Sequence, residues 1–164
     1  MAKPRINIRL MNETAEDAES FLRTLHDSIR HVASADYPVE VIEGWAPEVS
    51  ELNVCHVLEN PENEIRVIAE LDGKVVRVGA TVVEQNQLRA CYVSPRGLRK
   101  GVGTAIVQKL EEIGRQRGVD QFELHATITA EPFYRHLGYT SEERITHRTS
   151  AGIEMDAVNM TKKL

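Results

Sequence analysis

The chain has 164 residues, 41% hydrophobic and 27% charged, with 20 Lys and Arg against 25 Asp and Glu for a formal net charge of -5. That length suits one compact domain with a real core; the balance is too apolar for a disordered chain, and without a basic run there is no footprint for nucleic acid. Only Cys55 and Cys91 occur, with no Cys-x-x-Cys pair, which argues against a disulfide framework and for a reduced, cytoplasmic protein.

The start, Met1-Ala2-Lys3-Pro4-Arg5, leads into alternation at Ile6, Ile8 and Leu10, so a half-buried strand is expected there rather than an export signal. Thr14 supplies an N-cap and Glu16 and Asp17 a negative first turn. Phe21, Leu25, Ile29 and Val32 follow at helical spacing, predicting an amphipathic helix to about Ser34. Asp36-Tyr37-Pro38 breaks it, and short helices are expected over Val39 to Trp45 and Ser50 to Leu58, before a turn at Asn60 to Asn63. The period then becomes two. Ile65, Val67 and Ala69 alternate, Asp72-Gly73 turns, Val76, Val78, Ala80 and Val82 alternate again, and Asn86-Gln87 leads into a third strand, Leu88 to Val93.

After Ser94-Pro95 comes a basic, glycine-containing segment to Gly103, then a helix with Ile106, Val107, Leu110 and Ile113 on one face, a Glu111 and Arg115 pair, and Gly118 as its stop. Phe122, Leu124 and Ala126 form another strand; Pro132 and Gly138 bracket a short helix; Glu142 to Leu164 closes as a hairpin around Ser150-Ala151-Gly152. The order predicts a single α/β (α+β) domain over residues 1–164 with a mixed, mostly antiparallel sheet of about seven strands, and the hairpins exclude a doubly wound parallel sheet. No apolar run approaches the ~20 residues of a membrane-spanning helix. None of the six histidines makes His-x-x-x-His or pairs with a cysteine at a metal-binding spacing, so no metal is expected.

The segment Leu98-Arg99-Lys100-Gly101-Val102-Gly103-Thr104 carries the strongest chemical signal. Free N–H groups at a helix start, with the helix dipole behind them, bind phosphate, and glycines let the backbone approach. On its own the loop reads equally as a tight strand-to-helix connection. The Rossmann fingerprint fails because Ile106 stands where its third glycine would be, and a P-loop fails because Val102 stands five beyond Gly97.

From Tyr92 to Tyr139 the chain resembles the GCN5-related N-acetyltransferases (GNAT). Val93-Ser94-Pro95 followed by Leu98 to Gly103 is similar to the family's Val-x-Pro and Arg/Gln-x-x-Gly-x-Gly/Ala motif. Ala130 to Tyr139 is similar to its later helix, Met160 to Leu164 to its last strand, and Asp36-Tyr37 with Trp45 resembles the N-terminal helices of some bacterial members. The resemblance implies that acetyl-CoA is bound by Cys91, Tyr92, Val93, Leu98, Arg99, Lys100, Gly101, Val102, Gly103, Thr104, Thr127 and Phe133. Three positions depart from the pattern: Leu98 replaces Arg or Gln, Thr127 a frequent Asn, and Arg89 a glutamate common on that strand.

Acetyl transfer to an amine needs a deprotonated nucleophile, a stabilised oxyanion and a protonated leaving thiolate. An alkyl ammonium of pKa about 10.4 must lose its proton near neutral pH, and Glu84 and His125 are the candidate acceptors. The resemblance implies a backbone N–H near Val93 for the oxyanion. It also implies Tyr134 as general acid, a phenol of pKa about 10 serving a thiolate of pKa about 8.5. The expected acceptor is a primary amine of a small molecule, and the resemblance implies that specificity is set by Asp36, Tyr37, Trp45 and the Glu142 to His147 region. A protein or peptide N-acetyltransferase and a non-catalytic acyl-CoA-binding regulator are the alternatives. The closing strands are compatible with a homodimer.

Overall fold

The computed structural model describes residues 5–31, 33–93, 101–148 and 152–164. In these, β1 (Ile6–Leu10), β2 (Ile65–Leu71), β3 (Lys74–Val82), β4 (Gln87–Val93), β5 (Gln121–Thr127), β6 (Thr140–Arg148) and β7 (Glu154–Lys163) form one seven-stranded sheet of order β1-β2-β3-β4-β5-β7-β6. Five helices accompany it: α1 (Ala15–His31), α2 (Val39–Trp45), α3 (Glu51–Glu59), α4 (Val102–Gln116) and α5 (Glu131–His136). All strand pairs are antiparallel except β4 with β5, so the sheet is the mixed, mostly antiparallel one that the hairpin pattern predicts.

Local chemistry accounts for the boundaries. Thr14 accepts the Asp17 N–H through Oγ1 at 3.2 Å to start α1, and Ser50 with Asn53 makes a capping box at α3. Asp72 and Gly73 both have positive φ, 51° and 80°, the backbone a two-residue hairpin turn requires. At the end of α4, Gly118 takes φ 81° and Val119 N–H reaches back to the Gly114 carbonyl at 2.9 Å, which satisfies a carbonyl the helix would leave bare. Helix α1 stops earlier than its apolar spacing predicts, and a 3-10 turn, Ala33–Ala35, takes over before Tyr37.

The main core lies between the sheet and α4, with Val102, Ile106, Val107 and Leu110 against Val67, Ala69, Phe122, Leu124, Ala126 and Met160. On the opposite face Phe21 of α1 covers Ile68, Val78 and Ala80, and Ile29, Tyr37, Ile42 and Ala46 pack with Met155 of β7. Val76 does not share a face with Val78 and Ala80 as strict alternation predicts. A register shift at Ala69/Glu70 inserts it as an extra residue, and that bulge turns its side chain to the α4 side. Ile6 and Leu10 are 39% and 56% exposed, because β1 is an edge strand on which only Ile8 packs against the main core.

Candidate functional site

Strands β4 and β5 lie side by side at only one position. Gln87 pairs with Glu123, and the Glu123 N–H donates to the Asn86 carbonyl at 2.9 Å. Beyond it β4 stays on β3, with Cys91 opposite Gly79, Tyr92 opposite Val78 and Val93 opposite Arg77. In turn β5 stays on β7 as far as Thr127 opposite Ala157. The sheet is therefore split from Leu88 and Leu124 onward, with α4 following the β4 side and α5 following the β5 side.

On the α4 face the split meets a helix N-terminus. Gly101 takes φ 70° and is the cap residue of α4, with no side-chain hydrogen bond capping it. The first N–H groups of the helix, from Val102, Gly103 and Thr104, are those that helix geometry leaves without intrahelical acceptors. A Cβ on Gly103 would lie 1.8 Å from Nη1 of Arg77 and 2.6 Å from Nη2. Arg77 comes from β3, is 8% exposed, and carries its guanidinium carbon 4.9 Å from the ring centre of Phe133 on α5. Its buried Nε has no hydrogen-bond partner. Tyr134, 5% exposed, belongs to the same core and is edge-on to Phe133 at 5.1 Å and to Tyr139 at 5.7 Å. The start of α4, beside a buried arginine whose Nε has no hydrogen-bond partner, fits an anionic group such as a diphosphate.

The other face holds a cavity of about 260 Å³, lined among others by Trp45, Leu88, Arg89, His125, Thr127 and His147. His125 and His147 meet edge-on, with ring centres 5.9 Å apart. Burial first, then the neighbouring His125 and Arg89, hold the His147 imidazole below the usual histidine range, so it is neutral near pH 7. Arg89 is clamped by Glu62 at 2.6 and 3.1 Å and by Gln87 at 2.7 Å. The Thr127 hydroxyl accepts the Ala130 N–H at 3.1 Å, which ties it to the turn entering α5. No carboxylate lines this cavity among the described residues.

Of the residues singled out from sequence, Gly101, Val102, Gly103, Thr104, Phe133 and Tyr134 gather on the α4 face, while Thr127 and His125 line the cavity. Cys91, Tyr92 and Val93 are placed by their backbone at the diverging end of β4. Leu98, Arg99 and Lys100 lie outside the described residues. Glu84 does not line the cavity; it is exposed and accepts from Nδ2 of Asn63 at 2.8 Å. Trp45 and His147 of the specificity region are in the cavity wall. Tyr37 is instead a buried tie, and Asp36 accepts from the Thr129 hydroxyl at 2.6 Å. Arg77 was missed, although an arginine between apolar neighbours in Val75 to Val82 is itself a signal. No group of three or more metal-ligating side chains occurs among the described residues, and no described helix is long and apolar enough to cross a membrane.

A family model described as an acetyltransferase (GNAT) domain matches residues 33–164. Among solved structures, a GCN5-related N-acetyltransferase from Rhodopseudomonas palustris superposes with TM-score 0.84 at 25% identity, over 100% of this chain and 98% of that one. A PaiA N-acetyltransferase from Thermoplasma acidophilum, in complex with coenzyme A, is similar with TM-score 0.75 at 20% identity, over 98% and 99% of the two chains. An uncharacterized protein of Bacillus subtilis, YyaT, is 42% identical over 52 residues, 31% of this chain. The match spans about a third, 34%, of that curated relative's length.

Proposed function

Because the chain belongs to the GNAT family of acetyltransferases, enzymes that use acetyl-CoA, we propose that it acetylates a primary amine of a small molecule bound in the Trp45 and His147 cavity. The single observation that carries this reading is the split between β4 and β5, which sets a phosphate-type helix terminus on one face and an open cavity of mixed polar and apolar lining on the other. A volume of about 260 Å³ is below the ~300 Å³ at which pockets for drug-sized ligands begin, and so favours an amine of amino-acid size. With no carboxylate among the described lining residues and with Arg89, His125 and His147 present, a polycation finds no counter-charge. An uncharged amine or one carrying a carboxylate suits the wall better.

The cofactor supplies the acetyl group as a thioester. The residues of this chain do the rest. The α4 N-terminus would hold the phosphates through backbone N–H groups, with Arg77 and Phe133 beside it. His147, whose neutral form is favoured by partial desolvation and by the neighbouring His125 and Arg89, and His125 beside it take the proton that the acceptor ammonium must lose before its nitrogen can attack. Tyr134 returns a proton to the departing sulfur.

The test is thiol release from acetyl-CoA measured across amino acids, aminoglycosides, polyamines and short peptides, with CoA binding followed by calorimetry. Turnover on a small amine, lowered about 100-fold by Tyr134→Phe while CoA still binds, is expected for loss of a general acid. Tight CoA binding with no turnover on any amine would replace the enzyme by a CoA-binding regulator. Turnover confined to peptides would replace the acceptor class.

A further inference from the structure

We propose that Arg77 is a ligand for the diphosphate of the bound cofactor, supplying from β3 the side-chain cation that the glycine loop lacks at Leu98. The inference rests on the acetyl-CoA reading above but concerns a residue outside the motif that carries it. Arg77 is more than nine-tenths buried, its Nε is without a partner, and no ion pair answers its charge among the described residues. An unpaired buried guanidinium is costly to keep. It also sits against Gly103, in the first turn of α4, where the helix dipole is positive and repels a cation. Both penalties have one remedy, an anion placed at that helix end.

The surroundings aim the group rather than neutralise it. Phe133 lies under the guanidinium at 4.9 Å; a ring at that distance holds a cation by its face and leaves N–H groups free to donate. Gly103 leaves open the space that Nη1 and Nη2 occupy, since a Cβ there would fall within 1.8 to 2.6 Å of them. The second glycine of the loop thus has a use beyond close approach of the ligand: it admits an arginine from a different strand. A guanidinium with a planar fork of donors is well matched to a diphosphate oxygen pair.

The experiment is calorimetric titration of the full chain with CoA and with 3′-dephospho-CoA, for the wild type, Arg77→Gln, Arg77→Lys and Gly103→Ala. Thermal midpoints of the unliganded proteins and phosphorus NMR of saturated samples accompany it. Loss of a charge-assisted contact predicts at least about 10-fold weaker binding of both ligands by Arg77→Gln, in equal proportion, with the lysine variant intermediate. Gly103→Ala, which displaces the guanidinium without changing charge, weakens both as well. The unliganded glutamine variant melts no lower than the wild type, because an unpaired charge has been removed. Between the wild type and the lysine variant the diphosphate resonances differ and the 3′-phosphate resonance does not.

Unchanged CoA affinity in Arg77→Gln overturns the assignment. So does a loss seen with CoA but not with dephospho-CoA, which points to the 3′-phosphate. A lowered melting point of the unliganded glutamine variant makes Arg77 a packing residue and overturns it too. Failure of the wild type to bind CoA at all is a different result and sinks the acetyl-CoA reading itself.

Discussion

Replacing Tyr37 by phenylalanine removes one oxygen atom that ties three segments together. The Tyr37 hydroxyl donates to the Asp156 carbonyl of β7 at 2.7 Å and accepts the Ile128 N–H, just past β5, at 2.8 Å. The residue is 8% exposed. Each such bond is worth about 0.5–1.5 kcal/mol net, and leaving an N–H unsatisfied costs more than leaving a carbonyl with a second lone pair. The expected loss is therefore about 2 kcal/mol, which for a chain of this size lowers the melting temperature by about 4–8 °C. Calorimetry or far-UV melting measures it. Tyr37 also stands edge-on to Trp45 at 6.1 Å, and Trp45 lines the cavity, so KM for the acceptor rises while CoA affinity holds. Burial raises the Tyr37 phenol above its ordinary value. The unfolded chain then gives up this proton first, and wild-type stability declines as pH passes about 10; the Phe variant lacks that component. A fall in melting temperature under about 1 °C, with KM unchanged, would refute the reasoning.

Glu111, 3% exposed, holds Lys162 Nζ at 2.8 Å and the Tyr139 hydroxyl at 3.0 Å. Glu111→Ala takes a buried carboxylate away from Lys162 and from the Tyr139 hydroxyl and is expected to cost about 3 kcal/mol, with Glu111→Gln milder because it still accepts from Tyr139; urea denaturation reads the difference, and equal midpoints for the two variants contradict it. His147 remains neutral below the ordinary histidine range, so the acid limb of kcat/KM falls at a pH lower than about 6.5. A His147→Gln variant that keeps the same limb removes His147 from proton transfer. The same shift makes the unfolded chain bind more protons there. The stability it contributes is thus complete above about pH 6.5 and lost as pH falls through the folded value.

The sequence made the turns and the α4 face legible because their signals are local. Asp72-Gly73 can adopt the two positive φ angles, and Ile106, Val107, Leu110 and Ile113 share one helix face whatever surrounds them. Whether a face is covered is a tertiary matter. Ile6 and Leu10 alternate like core residues and lie on an uncovered edge. Val76 joins the other face because of a bulge, which inserts a residue without any mark in composition. At the site, the glycines and Tyr134 belong to one segment and were readable together. Arg77, Trp45, His125 and His147 come from four different elements, and only the folded sheet brings them to the two faces of one split. The Glu111 and Arg115 pair expected along α4 is present at 3.6 Å, but the tighter contacts of Glu111 are to residues far along the chain.

The lone bridge at Gln87 and Glu123 also sets the mechanics of the molecule. Four strands are stitched into one stiff plate and three into another, and a single ladder contact joins them. Apolar packing also spans the seam on both faces: the layer beneath α4 draws residues from both plates, and α1 packs through Phe21 on β2 and β3 and through Ile29 with Met155 of β7. Such packing has no preferred direction, so it resists separation of the plates far more than a small change of angle between them. A guest entering between β4 and β5 therefore displaces about one interstrand hydrogen bond, about 0.5–1.5 kcal/mol, rather than a full ladder.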